Sequence, residues 1–429
     1  MSDQTIAGLV RQGTRAEDLV ISDEDRGVLR RLATKVAELA ARPIEQQKRE
    51  LWVSHNMLEP TRPVIFCDPE NGWNEVITPG LLSCEGQLAR DWEMILRKEV
   101  FWGEQMRDDR VIQPCFDIRH VYDESDWGMH EVKTGGEHGG SYIWDAPLKS
   151  YDDLPNLRFP QIIVHEADTR RALALAHETL GDILLVRLKT AWWWTLGMTW
   201  TLVNLRGLTQ IMYDMSDYPD ELHRLMAFLR DGHMAKLDFL EGNGLLSLNC
   251  DGTYVGSGGF GWTRELPQPG FEEGHVRARD MWGFAESQET VGVSAAMFAE
   301  FVFPYQLPIL ERFGLNCYGC CEPLDKRWHI VEKIPRLRRV SVSAWASIPA
   351  MAEMLGGRFI FSWKPNPAYL AMESFDEDLI RNELRDAMRI CRAHGCSMEV
   401  IMKDCHTIRN DPRRVVRWVQ IAREEAEAL

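Results

Sequence analysis

No stretch of the 429-residue chain approaches the ~20 consecutive apolar residues of a membrane-crossing helix, so no membrane partner is expected. Positive charge is in the minority. Lys and Arg number 49 against 65 Asp and Glu, and the net charge of −16 excludes nucleic acid and anionic bilayers as partners. The opening Met1-Ser-Asp-Gln-Thr lacks the basic and apolar regions of a secretory leader. A Gly-rich phosphate turn after an early strand is also missing, which excludes a doubly wound dinucleotide fold. Ten cysteines follow no repeating spacing, and in a chain this long they fit a reducing cytoplasm, as free thiols or metal ligands. What the chain has in excess is tryptophan, sixteen residues with several clustered.

The most informative stretch is Gly314-Leu-Asn-Cys-Tyr-Gly-Cys-Cys-Glu-Pro-Leu-Asp325. It opens as an apolar run too short for a stable helix and stops at Pro323, with Cys320, Cys321 and Glu322 at the stop. A helix is expected from Leu324 to about Lys333. Seven other runs read as strands: residues 63–67, 183–188, 245–250, 281–285, 339–343, 358–363 and 397–402. Helical spacing marks residues 26–42, 81–105, 167–180, 201–215 and 219–242, and Ser294 caps a helix over 295–313. Eight strands with helices between the later ones predict an α/β fold, a closed parallel (β/α)8 TIM barrel over residues 59–429. Residues 1–58 read as a helical extension packed outside it. Residues 106–160 read as a long excursion, a hairpin or lid over the mouth, and 253–279 as a Gly- and Pro-rich insertion.

Barrel chemistry sits at the C-terminal ends of the strands. Those ends carry Lys189 and Trp192; Asp251; Glu286, Gln288 and Glu289; Cys320, Cys321 and Glu322; Trp345; Lys364 and Asn366; Asp404, Cys405 and His406. Cys321 and Cys405 lie on strands that a barrel brings to one mouth. Two thiolates with one His or carboxylate leave the open position that a catalytic zinc keeps. Buried cysteine is equally a small core residue, the reading preferred for Cys317, Cys391 and Cys396. At least one of Trp192, Trp193 and Trp194 reads as core or lid packing. His120, His130 and His138 match no zinc spacing and read as surface histidines.

Two segments resemble the uroporphyrinogen decarboxylase superfamily, and within it the cobamide-dependent methyltransferases. Ser294-Ala-Ala-Met-Phe-Ala-Glu-Phe-Val-Phe-Pro-Tyr305 is similar to the family's Ser-Pro-x-Met-Phe-x-x-Phe-Val-x-Pro-Tyr helix. Gly319-Cys-Cys-Glu322 falls where the methyltransferases carry His-x-Cys-Gly. Trp363-Lys-Pro-Asn-Pro367 resembles the Gly-Asn-x-Asp-Pro turn, and Asp404-Cys405 the last strand end with the second zinc cysteine. The resemblance is clearest over residues 281–429.

It implies a zinc site on Cys321 and Cys405. Because Gly319 replaces the family's His, the third ligand falls to Glu322, Glu286 or His406, with Cys320 adjacent. The implied activity is transfer of a methyl group from a small methylated donor, above all a methoxylated aromatic, to Co(I) of cobalamin. No Asp-x-His-x-x-Gly corrinoid motif occurs in the chain, so the corrinoid is expected on a partner protein. Trp192, Trp193, Trp345 and Trp363, with Gln288, Asn366 and His406, are expected to line the donor's seat. Glu286, Glu289 and Lys364 are expected to orient it or carry its proton. The alternative is a metal-free decarboxylase or lyase with Asp251 and His406 as acid and base. The Arg-rich segment that holds a porphyrinogen is not evident in residues 60–70, and a homodimer is left open.

Overall fold

The computed structural model describes residues 18–135 and 142–429, so His138 lies outside the described residues. Among the described residues twelve strands form: β1 (Val64–Cys67), β2 (Cys115–Ile118), β3 (Tyr122–Glu124), β4 (Val132–Gly135), β5 (Tyr142–Asp145), β6 (Ile162–Val164), β7 (Leu185–Leu188), β8 (Trp282–Ala285), β9 (Leu315–Tyr318), β10 (Leu337–Val342), β11 (Ile360–Trp363) and β12 (Ser397–Met402). Six of them make one sheet in the order β1-β12-β11-β10-β9-β8, every pairing parallel. All four residues of β1, β8, β9 and β11 are buried, as expected of parallel strands covered on both faces. β2 and β7 form a separate parallel pair. The fold is mixed α/β. Among the described residues the backbone ladder does not close into a ring.

One expected strand is absent and another takes its place. Residues 245–250 are not a strand. Their link to β8 runs through a side chain: Asn249 Nδ2 donates to the Trp282 carbonyl at 2.9 Å, and its Oδ1 accepts from Trp282 N at 2.8 Å. A side-chain amide does there what a ladder would do. Among the strands not foreseen in the sequence is β2, which falls inside the expected 106–160 excursion and carries the polar Asp117. In the fold Asp117 is neutralised by Arg187 on β7, with both carboxylate oxygens engaged at 2.6 and 2.8 Å.

The Gly-rich insertion is not a surface loop at its start. Residues 253–262 lie against the inner face of the sheet and touch all six strands or their ends. Tyr254 and Phe260 pack on Phe66 of β1. Trp282 Nε1 of β8 donates to the Gly261 carbonyl at 3.0 Å. Ser257 Oγ donates to the carbonyl of Gly319, just past β9, at 3.0 Å and lies 3.1 Å from Ser341 Oγ of β10. Gly258 and Gly259 press on the polar side chains beyond. A Cβ on Gly258 would stand 2.7 Å from Lys364 Nζ and closer still to Ser362 of β11. One on Gly259 would stand 2.7 Å from Glu399 Oε2 of β12, and Gly259 also has φ +66°, a conformation side chains resist. Close backbone approach is the reason for glycine here.

The N-terminal extension is likewise only half outside. Helix Asp23–Ala40 opens on Ser22, whose hydroxyl accepts from Asp25 N, and helix Pro43–Asn56 follows. The second helix pushes its last turn under the sheet. Asn56 Nδ2 donates to the carbonyls of Phe260 and Trp262, both at 2.7 Å. His55 Nε2 lies 3.1 Å from Glu399, which also takes Arg339 at 2.9 Å. These groups form one buried network, in which His55 Nδ1 and Arg339 Nη1 have no partner among the described residues.

The remaining expectations hold with breaks. Ser294 caps as foreseen, but its helix divides into Ala295–Phe301 and Phe303–Leu310, with Pro304 in the first turn of the second. The 201–215 helix divides at Gly207, φ +87°, into Thr199–Arg206 and Leu208–Asp217. Of the helix expected from Leu324 to about Lys333, only Trp328–Val331 is helical. The 106–160 region does contain a hairpin, β4 antiparallel to β5. No helix among the described residues is long and apolar enough to cross a membrane.

Candidate functional site

The structure joins the ends of β9 and β12. Residues on a strand alternate faces, so Arg339 and Ser341, Ser362 and Lys364, and Glu399 point inward, while Val340, Trp363 and Val400 join the outer core. Past the strand ends, Cys320 Sγ lies 3.6 Å from Cys321 Sγ, and Cys321 Sγ lies 3.8 Å from Asp404 Oδ2. Lys403 extends the chain of contacts, with Nζ 3.8 Å from Asp404 Oδ1 and 3.3 Å from Glu70 Oε1, just after β1. Glu70 and Asp404 both hold left-handed backbones, φ +50° and +59°. Non-glycine residues adopt that region at a cost of about 1 kcal/mol or more, and such strain gathers at functional sites.

Burial is the first influence on Glu70 and Lys403. It pushes the Glu70 carboxyl up to about 7, against the charge of Lys403. It also drives the Lys403 ammonium down, but Glu70 and Asp404 outweigh it and hold that charge. Cys320 is raised well above the usual thiol range, first by its hydrogen bond with Cys321 and then by burial.

Glu322 is occupied as a strut. Its Oε1 accepts from Ser287 N at 2.8 Å and its Oε2 from Cys320 N at 2.9 Å, tying the ends of β8 and β9 together. Cys405 is buried, and its thiol faces the Lys403 carbonyl at 3.6 Å. The structure therefore brings Cys320 and Cys321 to Asp404, and not to Cys405 or a free Glu322 oxygen. No group of three or more His, Cys, Asp or Glu among the described residues is arranged to hold a metal ion. All ten cysteines are free of disulfides.

Beside Glu322 stands a second set of carboxyls. Glu286 is fully buried, and its Oε2 accepts from Gln288 N at 2.8 Å while Oε1 has no partner among the described residues. Burial, then the charges of Glu289 and Glu322, push this carboxyl well above the usual range, which favours its protonated form. Glu289 Oε2 accepts from Thr199 at 2.7 Å, and the Gln288 amide donates to its other oxygen at 3.2 Å. Lys364 is buried, donates to the Ser362 carbonyl and hydroxyl at 3.0 and 2.7 Å, and is lowered by burial to about 8.

The other foreseen residues scatter. Trp363 is core, 1% exposed, and Trp345 is 71% exposed. Trp192 is buried, donates to the Leu245 carbonyl at 2.9 Å and packs on Tyr122. Trp192 and Trp193 both line one cavity, and Trp193 and Gln288 line a second. Asn366 caps its own turn by accepting from Ala368 N, and His406 is exposed. Asp251 is bound to Lys189 at 2.6 Å and to Thr253. Burial pushes it up, but Lys189 prevails and leaves it below the usual carboxylate range, hence ionised. His130 is exposed beside Asp126, whereas His120 is half-buried on Thr190. Glu70 and Lys403 were not foreseen. Their signal was present in Asp68-Pro69-Glu70 and Lys403-Asp404, charged residues at the ends of apolar runs.

In comparisons with known proteins the chain matches no family model and no curated protein.

Proposed function

We propose that the eight parallel strands β1, β2, β7 and β8–β12 belong to one (β/α)8 barrel, and that the chain is a zinc-dependent methyltransferase. The methyl group would move from a small methoxylated aromatic to Co(I) of a separate corrinoid protein. Three bridges support closure. Asp108 and Asp109, ahead of β2, accept from Cys67 N and Ile65 N of β1 at 2.9 and 2.8 Å. Asn249 and the bond from Leu196 N to the Phe284 carbonyl, 2.9 Å, span from the β7 side to β8. Finally, β9 and β12 lie three strand spacings apart, roughly 14 Å on a flat sheet. Contact between Cys321 and Asp404 is natural only if the sheet curves.

That contact is the observation that carries the functional reading. Two soft thiols and a hard carboxylate are donor types whose chemistry fits zinc; Cys320, Cys321 and Asp404 are in pairwise contact and not gathered about one point, so they would hold it by closing around the ion. When bound, zinc would supply Lewis acidity toward the methoxy oxygen. The chain's own residues do the rest. Lys403 holds the Asp404 carboxylate between the thiol and Glu70. Burial and the neighbouring carboxylates favour the protonated form of Glu286 at the neighbouring strand ends. Gln288 and Glu289 connect that carboxyl to the tryptophan-lined side. The lyase alternative is weaker, because Asp251 is spent on Lys189 and His406 faces outward.

The test is to incubate the protein with 4-methoxybenzoate or 4-methoxyphenol and Co(I)-cobalamin and follow methyl–cobalt formation by absorbance. Methyl–cobalt formation that disappears in Cys321→Ser supports the reading. Carbon dioxide release without methyl transfer would replace it with the lyase.

A further inference from the structure

The cavity that Trp192 and Trp193 line together has a volume of about 210 Å³. That is room for roughly a dozen waters at the ~15 Å³ each one needs, the size of a single six-membered ring with its substituents. It lies between the β2–β7 pair and β8, where residues 245–250 form no ladder, and residues 252–256 of the inner segment line it.

Part of the wall is aromatic. Trp193 and Trp194 are half-buried there, and Trp194 stands edge-on to Phe284 with ring centroids 5.6 Å apart. The rest is polar, with bonding capacity left over. Arg187 spends Nε and Nη2 on Asp117, at 2.6 and 2.8 Å, while its Nη1 makes only a long contact of 3.4 Å with Asp251. Lys189 is seen to give one hydrogen bond, to Asp251 at 2.6 Å, and an ammonium has three protons to give. Both side chains are half-buried at the cavity and not sealed behind it.

Gln113 has the most to spare. Its amide makes no hydrogen bond among the described residues, and its oxygen and nitrogen both keep accessible surface, unlike the sealed partnerless groups of the core. Gly252 makes way for it, because a Cβ there would overlap Gln113 Nε2. An amide kept open at a cavity wall offers a ligand two donors and an acceptor.

The charges of this wall come in pairs: Arg110 with Glu99, Arg187 with Asp117, Lys189 with Asp251. Spare protons on Lys189, Arg187 and Gln113 therefore stand beside spare lone pairs on Asp117, Asp251 and Gln113. A hydroxyl group, which donates and accepts at once, uses such a mixture fully. A ring that carries several hydroxyls on its rim and C–H groups on its face matches both parts of the wall, since an indole face is the negative side of its quadrupole.

We propose that this cavity binds a neutral monosaccharide in its pyranose form, with hydroxyls on Gln113, Lys189 and Arg187 and its C–H face on Trp193 and Trp194. The inference goes beyond the methyl-transfer reading and needs neither metal nor corrinoid, so the failure of either leaves the other standing.

The experiment is calorimetric titration of the full chain with D-glucose, D-galactose, D-mannose and D-xylose, and with cyclohexanol and benzoate for comparison. At least one of the four sugars should saturate. Two or more added hydrogen bonds predict that it binds about 10-fold tighter than cyclohexanol, which has the ring but a single hydroxyl. Gln113→Leu keeps the size of the side chain and removes the amide, and should weaken the sugar by about 3- to 10-fold without changing cyclohexanol. Trp200→Ala, which alters only the other tryptophan-lined cavity, should leave sugar affinity unchanged. No saturation by any of the four sugars, cyclohexanol or benzoate binding as tightly as the best sugar, an unchanged sugar affinity in Gln113→Leu, or its loss in Trp200→Ala would overturn the proposal. Should Gln113→Leu not fold, the sugar-to-cyclohexanol ratio in the unaltered protein and in Trp200→Ala decides.

Discussion

The carboxylate of Asp404 stands 3.8 Å from the Cys321 thiol across 83 residues of chain. Two strands, β10 and β11, lie between them in the sheet. The contact therefore reports the curvature of the sheet as well as the chemistry at its end. Lys403 supports it from the other side through Glu70 and Asp404. Replacing Lys403 by Met leaves two carboxylates facing each other without their buried cation. The expected loss is about 3–5 kcal/mol in urea unfolding at pH 7, the usual cost of breaking a buried pair on one side. A loss under about 1 kcal/mol would mean that water already screens the cluster.

Gly258 tests the inner segment. Alanine there would meet Ser362 and Lys364 Nζ inside a filled sheet face. Overpacking of this kind costs about 1–3 kcal/mol, and more where backbone must move. Gly258→Ala should lower the urea midpoint accordingly, whereas Gly270→Ala, with open space around it, should cost no more than the strain of its φ of +76°. Equal effects at the two positions would remove residues 253–262 from the interior.

Lys364 should be a stability cost. Its folded pKa of about 8 lies below the ~10.4 of an unfolded lysine. Below pH 8 both states are protonated and the burial penalty is complete, up to about 3 kcal/mol by the size of that shift. As pH rises from 8 toward 10.4 the penalty disappears. Lys364→Met should therefore be more stable than the parent by about 1–3 kcal/mol at pH 7, with the gain fading by pH 10. Destabilisation at pH 7 would show that the ammonium is fully repaid by Ser362 and Glu399.

Glu399 has the opposite sign. Burial would raise it, but the charge of Arg339, the bond to His55 and the charge of Lys364 prevail and hold it below the usual range. A carboxylate so depressed stabilises the fold above its unfolded pKa of ~4.3, and that contribution is lost as pH falls through the folded value. Glu399→Gln should cost about 3–5 kcal/mol at pH 7, the difference narrowing steadily below pH 4. A pH-independent difference would assign the loss to packing.

The elements that could be read from the sequence were those fixed by local chemistry. Ser294 caps its helix, β9 forms but ends at Tyr318, ahead of the expected stop at Pro323, and the strand-end positions of Cys320, Cys321, Lys364 and Asp404 follow from apolar runs with abrupt polar ends. What long-range pairing decides stayed hidden. Asp117 makes β2 look like a loop until Arg187 is beside it, and Asn249 makes 245–250 look like a strand that its side chain only imitates. The glycines of 256–261 suggest a surface insertion unless the polar side chains they press against are known. Trp363 was assigned to the mouth from its position in the chain, but Ser362 and Lys364 face inward, so alternation sends Trp363 to the core.

The most direct test of the methyl-transfer reading is metal content by elemental analysis of the full chain, purified without chelators and offered zinc. About one zinc per chain is the expected result, lost in Cys321→Ser and in Asp404→Asn and kept in Cys405→Ser, whose thiol faces the Lys403 carbonyl. A chain that takes up no zinc, or one whose zinc survives both Cys321→Ser and Asp404→Asn, would contradict it.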